Sequence, residues 1–333
     1  MTSFLIYSAV GFSVPIIVAL ILIASQRPVA DLRGDGLDFS GQKTTEPPAT
    51  LVVYQASDGA NLAFRRYDCG QQGRPLLVCV HGSGWHGLQF DRLAKKIAAQ
   101  GLADVLVPDL RGHGVAPQPR GDVKYVGQFE DDLAGLIAEN QQEGQKIVML
   151  GHSSGGGLVV RFAGGKYGKT LDLAVLLAPY IHHRAATMRK NSGGWAHVLT
   201  RRIIGISILN TFRIKLLNRL TVIQFLFPDQ ILNGPLGNTV TRSYSFRLNK
   251  SFAPRNAYQR DIAALPPFLL IAGARDEAFR AEAYQPMMSA ITQNGQYAIL
   301  PDVSHLEVVD TSQTIALITE FLKSGGADRR DTK

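Results

Sequence analysis

The run Lys146-Ile147-Val148-Met149-Leu150, followed at once by Gly151-His152-Ser153-Ser154-Gly155-Gly156-Gly157, constrains this chain more than any other stretch. A short, mainly apolar segment of that length fits a strand buried on both faces. Leu158, Val159 and Val160 then open a helix. A Gly-x-Ser-x-Gly set between strand and helix places the serine on a strained turn with its hydroxyl lifted above the sheet edge. Side chains at the flanking glycines would collide with the neighbouring strand and helix, so the chemistry of the turn demands small residues.

A serine hydroxyl becomes a useful nucleophile only when a histidine takes its proton and a carboxylate holds that histidine. Where the serine sits on such an elbow the chain order is serine, acid, histidine, and this sequence follows it. Pro267–Ala272 reads as a buried strand ending in Gly273-Ala274-Arg275-Asp276; Tyr297–Leu300 reads as the next, ending in Pro301-Asp302-Val303-Ser304-His305. Both candidates follow strands, at the edge where open α/β sheets carry their sites. His305 is the only histidine after His197. Glu277, Asp302 and Asp310 are rival acids, and Asp276 is preferred because it lies in the first turn after its strand. An oxyanion hole is expected from the backbone N–H of Ser154 and from the loop after strand Leu76–Val80, His81-Gly82-Ser83-Gly84, where Ser83 is the second donor.

With these segments on the page, the chain resembles the α/β-hydrolases of the monoacylglycerol lipase, lysophospholipase and serine aminopeptidase-like group. The matching segments are His81–His86, Pro108-Asp109-Leu110-Arg111-Gly112-His113-Gly114, the elbow, Asp276 and His305. The likeness runs from about Leu51 to Leu322, interrupted between Tyr180 and Arg260. Ser154 stands where the group often has Met, and Ala116 where a serine usually follows Gly-His-Gly. The resemblance implies a serine hydrolase and leaves its substrate open.

Other residues have plainer readings. His81 and His113 orient loops through hydrogen bonds, and His152 packs beside the elbow. His86 lines the pocket mouth or is solvated. His182-His183 lacks partners at ligand spacing, so no metal and no organic cofactor is implied. The glycine run lacks the Gly-Lys-Ser/Thr ending of a phosphate loop.

At 333 residues, 45% hydrophobic and 19% charged, the chain buries one full core plus an insertion. Its two cysteines, Cys69 and Cys79, do not make a disulfide framework. Phe4 to Ala24 carries no charge over 21 residues, roughly 31 Å of helix against a hydrocarbon core of about 30 Å. A transmembrane anchor over 1–26 is therefore expected, and a cleaved signal peptide is disfavoured by the missing basic n-region. Basic residues follow the span and none precede it, which points towards a cytoplasmic catalytic domain without fixing the side.

Residues 27–49 read as a linker. Eight strand patterns follow at 51–54, 62–66, 76–80, 104–108, 146–150, 172–177, 267–272 and 297–300. Helices are predicted at 90–99, 127–139, 154–165, 279–292 and 311–323. Together they predict a mostly parallel eight-stranded sheet with helices on both faces. The core then comprises 50–179 and 261–323, with a cap inserted at 180–260 and a disordered tail at 324–333. The cap holds thirteen Lys and Arg but one acid, Asp229. Apolar runs lie between the charges, so either an anionic membrane or a solvated surface suits it. Nucleic acid is a poor partner, because no recognition fold accompanies the charge.

The function expected is hydrolysis of a carboxylic ester, a monoacylglycerol or lysophospholipid foremost. An aminopeptidase-type hydrolase and a non-catalytic, membrane-tethered binding protein on the same scaffold are the alternatives. Oligomeric state is not legible.

Overall fold

The computed structural model describes residues 2–39, 48–115, 117–189 and 193–326, with side chains of the first helix from Ser13 onward. Ala116, Lys190, part of the linker and most of the C-terminal tail lie outside the described residues.

The central sheet is built as the alternation predicts. Its strands are β1 (Leu51–Gln55), β2 (Asn61–Tyr67), β3 (Leu76–Val80), β4 (Asp104–Asp109), β5 (Ile147–His152), β6 (Leu173–Leu177), β10 (Phe268–Gly273) and β11 (Gly295–Leu300), and their order is β1-β2-β4-β3-β5-β6-β10-β11. The β1–β2 and β2–β4 pairs are antiparallel and the rest parallel. Every residue of β3, β4, β5, β6 and β10 is buried. Their Val, Ile and Leu side chains contribute about 1.5–3 kcal/mol each by leaving water.

Helices α2 (Asp91–Ala99), α3 (Gln128–Asn140) and α4 (Ser154–Ala163) cover the sheet, with Ser312–Lys323 as the C-terminal helix. The helix predicted over 279–292 is shorter, a 3₁₀ turn at Ala281–Ala283 and then Tyr284–Ser289. Pro286 has no N–H to give a preceding turn, so it is tolerated only near a helix start.

Between β6 and β10 the cap carries α5 (Thr200–Thr211) and its own antiparallel sheet of β7 (Ala196–Val198), β8 (Thr221–Phe225) and β9 (Ser243–Ser245). Three of its basic residues pair with acids that help to hold it in place. Arg255 joins Glu130 at 2.7 Å and Asp261 at 2.9 Å, Arg247 joins Asp122, and Arg242 joins Asp31 at 3.2 Å. Among the described residues Arg213, Lys215 and Arg219 have no acidic partner.

The first helix, α1 (Thr2–Ala24), packs one face on α5: Ala19 and Ile23 are buried with Ile206, Leu209, Val222 and Phe246. The two backbones approach so closely that a Cβ at Gly205 would lie 2.5 Å from the Ala19 carbonyl. Val14, Ile17, Val18, Leu20 and Ile21 remain exposed. Among the described residues no helix is long and apolar enough to cross a membrane.

Candidate active site

The chain leaves β5 at His152 and enters α4 at Ser154, and Ser153 between them has φ 55° and ψ −122°. Side chains rarely occupy that region, and the surroundings must over-determine it. They do so with three backbone bonds. The Ser153 N–H donates to Leu177 O at 2.9 Å, and its carbonyl accepts from Gly157 N at 3.1 Å and Tyr180 N at 2.8 Å. Gly155 is fixed by sterics, since a Cβ there would lie 2.1 Å from Val80 O.

Asp276 follows β10 and His305 follows β11, both almost wholly buried. Asp276 Oδ1 accepts from the Ala278 and Phe279 N–H groups at 2.8 and 2.7 Å, which leaves Oδ2 to meet His305 Nδ1 at 2.8 Å. The rival acids are otherwise engaged or placed. Glu277 accepts the His305 backbone N–H at 2.8 Å rather than a ring proton, and Asp310 faces Arg92 at 3.7 Å. His152 Nε2 donates to the His305 carbonyl at 2.9 Å, with Gln89 hydrogen-bonded to its Nδ1. Burial pushes the His152 pKa well below its ordinary value, so this imidazole is neutral.

The loop after β3 lies against the elbow. Ser83 Oγ and Ser154 Oγ share a hydrogen bond of 2.6 Å, which brings the two proposed oxyanion donors' residues to one end of the sheet. His81 bridges its loop to the next, with Leu110 N–H donating to Nε2 at 3.0 Å and Nδ1 donating to Gly82 O at 2.9 Å. Burial brings its pKa down to about 4. His113 Nε2 accepts from the Tyr244 hydroxyl at 2.7 Å, and Nδ1 donates to Arg111 O at 3.0 Å. Arg111 grips Asp132 with two bonds of 2.8 and 2.7 Å. The segment 108–114 thus braces the site without facing it. His86 is buried and stacked on Trp85, neither at the mouth nor solvated.

Ser153 and His305 open onto one cavity walled by Leu37, Phe39, Trp85, Trp195, Phe227 and Leu306. Five of these escaped the sequence reading: Leu37, Phe39, Trp195 and Phe227, which come from the linker and the cap, and Leu306, which follows His305. So did Tyr244, and Arg189, whose Nε donates to the carbonyls of Asp276 and Phe279 at 2.9 Å each. An aromatic in a Pro/Gly-rich segment, as at Phe39, was the available signal. Among the described residues no cluster of three or more His, Cys, Asp or Glu could hold a metal ion.

A sequence profile described as "Serine aminopeptidase, S33" matches residues 71–312. The chain belongs to this family of α/β-hydrolases. Within it, this S33-family chain is 32% identical over 126 residues to a monoacylglycerol lipase of Mycolicibacterium smegmatis, covering 37% of this chain and 44% of that protein. It spans less than half the length of the first curated relatives it matches. Among solved structures, a soluble variant of monoglyceride lipase from Saccharomyces cerevisiae superposes with a TM-score of 0.64 at 17% identity, covering 86% of this chain and 98% of that one. A membrane phospholipase A described as a bacterial virulence factor superposes with a TM-score of 0.59 at 18% identity, covering 98% of this chain and 100% of that one. At those identities the two structures share the fold of this S33-family chain.

Proposed function

We propose that the chain is a membrane-anchored serine hydrolase that cleaves carboxylic esters, monoacylglycerols or lysophospholipids foremost, through an acyl-enzyme. The observation that carries this reading is the strained Ser153 opening, together with Asp276-bound His305, onto a cavity walled by aromatic and aliphatic side chains. Ser153 Oγ attacks the acyl carbonyl while His305 Nε2 takes its proton. The imidazolium is held by Asp276, and the backbone N–H groups of Ser83 and Ser154 receive the developing oxyanion. His305 then protonates the leaving alkoxide. Water, deprotonated by the same imidazole, attacks the acyl-enzyme and releases the carboxylic acid.

Three features support the lipid and membrane part. The walls of the inner cavity are apolar and carry no carboxylate for a substrate amine. Besides the exposed residues of α1, the cap exposes Ile204, Ile214 and Leu216, with Arg213, Lys215 and Arg219 near them in sequence; exposed apolar surface of this kind marks interfaces. The names of a lipase relative and a membrane phospholipase neighbour agree with it.

A fluorophosphonate probe should label the wild type and spare Ser153→Ala, which loses on the order of 10⁴-fold or more in kcat. Esters should be turned over in preference to amino-acid anilides. Labelling that persists in Ser153→Ala moves the nucleophile elsewhere, and a preference for anilides replaces this reading with the aminopeptidase one.

A further inference from the structure

After α1, residues 27–39 run past the site as a strap fastened to the cap. The Val29 N–H donates to Gln224 Oε1 at 2.8 Å, and Gln224 Nε2 donates back to Val29 O at 2.7 Å. Arg242 Nη2 donates to Leu32 O at 2.7 Å, and Arg33 pairs with Asp229 at 2.7 Å. Gly36 then runs so close to the cap that a Cβ there would lie 2.6 Å from the Trp195 Cα. Only glycine fits that approach. The next residues deliver Leu37, which is 7% exposed, and Phe39, whose ring centroid lies 5.8 Å from Trp85 and from Trp195 and 5.5 Å from Phe227.

Two cavities share this pair of side chains. The inner one, against Ser153 and His305, has a volume of about 20 Å³, room for one water molecule. The outer one is a surface basin of about 840 Å³ whose walls include Arg33, Asp229, Ile231 and Glu277. Leu37 and Phe39 line both. An acyl chain whose carbonyl sits at Ser153 has no room to extend while the Phe39 ring stands where it does. The family profile matches residues 71–312, so the strap lies outside the matched residues.

We infer that Leu37 and Phe39 form the partition that decides which esters reach Ser153, restricting the inner cavity to short acyl groups while they are seated. The inference rests on the ester-hydrolase reading and adds the specificity determinant to it. The partition is also tied to the proposed base. Glu277 accepts from the Asp38 N–H at 3.3 Å with Oε1 and from the His305 N–H at 2.8 Å with Oε2. Engineered apolar cavities of about 150 Å³ admit a guest the size of benzene, so removal of the Phe39 ring makes space for several methylene groups and joins the inner cavity to the basin.

The test is the ratio of kcat/KM for p-nitrophenyl octanoate to that for p-nitrophenyl butyrate, measured on the full chain below the solubility limit of either ester. Phe39→Ala should raise this ratio at least tenfold, Leu37→Ala should raise it less, and Phe39→Trp should lower it. A ratio in Phe39→Ala that stays within twofold of wild type, or falls, overturns the partition. Should Phe39→Ala not fold, Phe39→Leu keeps an apolar plug of smaller girth and is read by the same ratio, with a threefold rise expected and a flat ratio overturning the idea. A wild type that hydrolyses no ester at all overturns the ester-hydrolase reading and the inference with it. Ester turnover with a flat ratio overturns the partition alone.

Discussion

Asp276→Asn is the substitution whose consequence follows most directly from the hydrogen bonds. In the native site Oδ1 is claimed by two backbone donors, Ala278 N and Phe279 N, at 2.8 and 2.7 Å, and Oδ2 faces His305 Nδ1 at 2.8 Å. An asparagine has one acceptor oxygen, and the two backbone N–H groups fix where it goes. Its NH₂ must therefore face His305 Nδ1. A donor there forces Nδ1 to accept, which moves the imidazole proton to Nε2, the atom that takes the proton from Ser153 in the proposed reaction. The wrong tautomer costs about 10⁴-fold in kcat, or about 5.4 kcal/mol of activation free energy at 1.36 kcal/mol per decade. Because the backbone donors keep their partner, the fold should lose little. Asp276→Ala, by contrast, strands two buried N–H groups and should also lose stability, about 1–3 kcal/mol for each unsatisfied group. The assay is p-nitrophenyl butyrate hydrolysis alongside urea unfolding of the same preparations. A folded Asp276→Asn protein that keeps more than a tenth of wild-type kcat would refute the assignment and return the acid role to Asp302 or Asp310.

Two further outcomes are expected. Burial lowers the pKa of His81 and His86 to about 4 and holds His113 and His152 well below the ordinary value of 6.5. The unfolded chain therefore binds more protons than the folded one below pH 6.5, and stability is lost as pH falls from 6.5 towards 4, by up to about 1.4 kcal/mol per pH unit for each histidine; a urea midpoint that does not drop between pH 6.5 and 5 contradicts this. Replacing Arg213, Lys215 and Arg219 together with Gln should weaken binding to anionic vesicles by about two orders of magnitude at low salt, at about 1 kcal/mol per residue near the surface. Added salt should reproduce the loss in wild type, and equal flotation with neutral and anionic vesicles at every salt concentration would contradict it.

The elbow was legible because its demands are local. A buried strand, a strained residue and a glycine under a carbonyl sit within a dozen positions, and the same holds for Asp276 and His305 at their strand ends. The cap was legible as an insertion and opaque inside. Strands of three residues, such as Ala196–Val198 and Ser243–Ser245, carry too little periodicity to read, and they exist only through pairing with Thr221–Phe225. Its charge imbalance also misled. Arg247 and Arg255 look like free surface cations until folding brings them to Asp122 and Glu130, each 125 residues away in sequence. The segment 27–39 mixes charged and apolar residues with Pro28, Gly34 and Gly36 and has no helix or strand period, which reads as a linker. What fastens it is an amide on β8, a guanidinium beside β9 and three aromatic rings, none of them visible from its own residues.

These contacts make α1, the strap and the cap a connected set rather than separate attachments to a hydrolase core. α1 is packed on α5 through Ala19, Ile23 and Ile206, and the strap that leaves it is bonded to Gln224 and Arg242 of the cap sheet. It ends in the ring that closes the inner cavity. Packed interfaces shift between discrete arrangements more readily than they deform. Leu37 and Phe39 belong to the same packed set as α1 and the cap, and Glu277 links Asp38 of that set to the His305 backbone. The apolar face of α1 and the inner cavity are thus separated by one short stretch of chain. That stretch is held to the cap through Gln224, Arg242 and the Trp195 backbone, and to the core through the Glu277 bond to Asp38 at 3.3 Å.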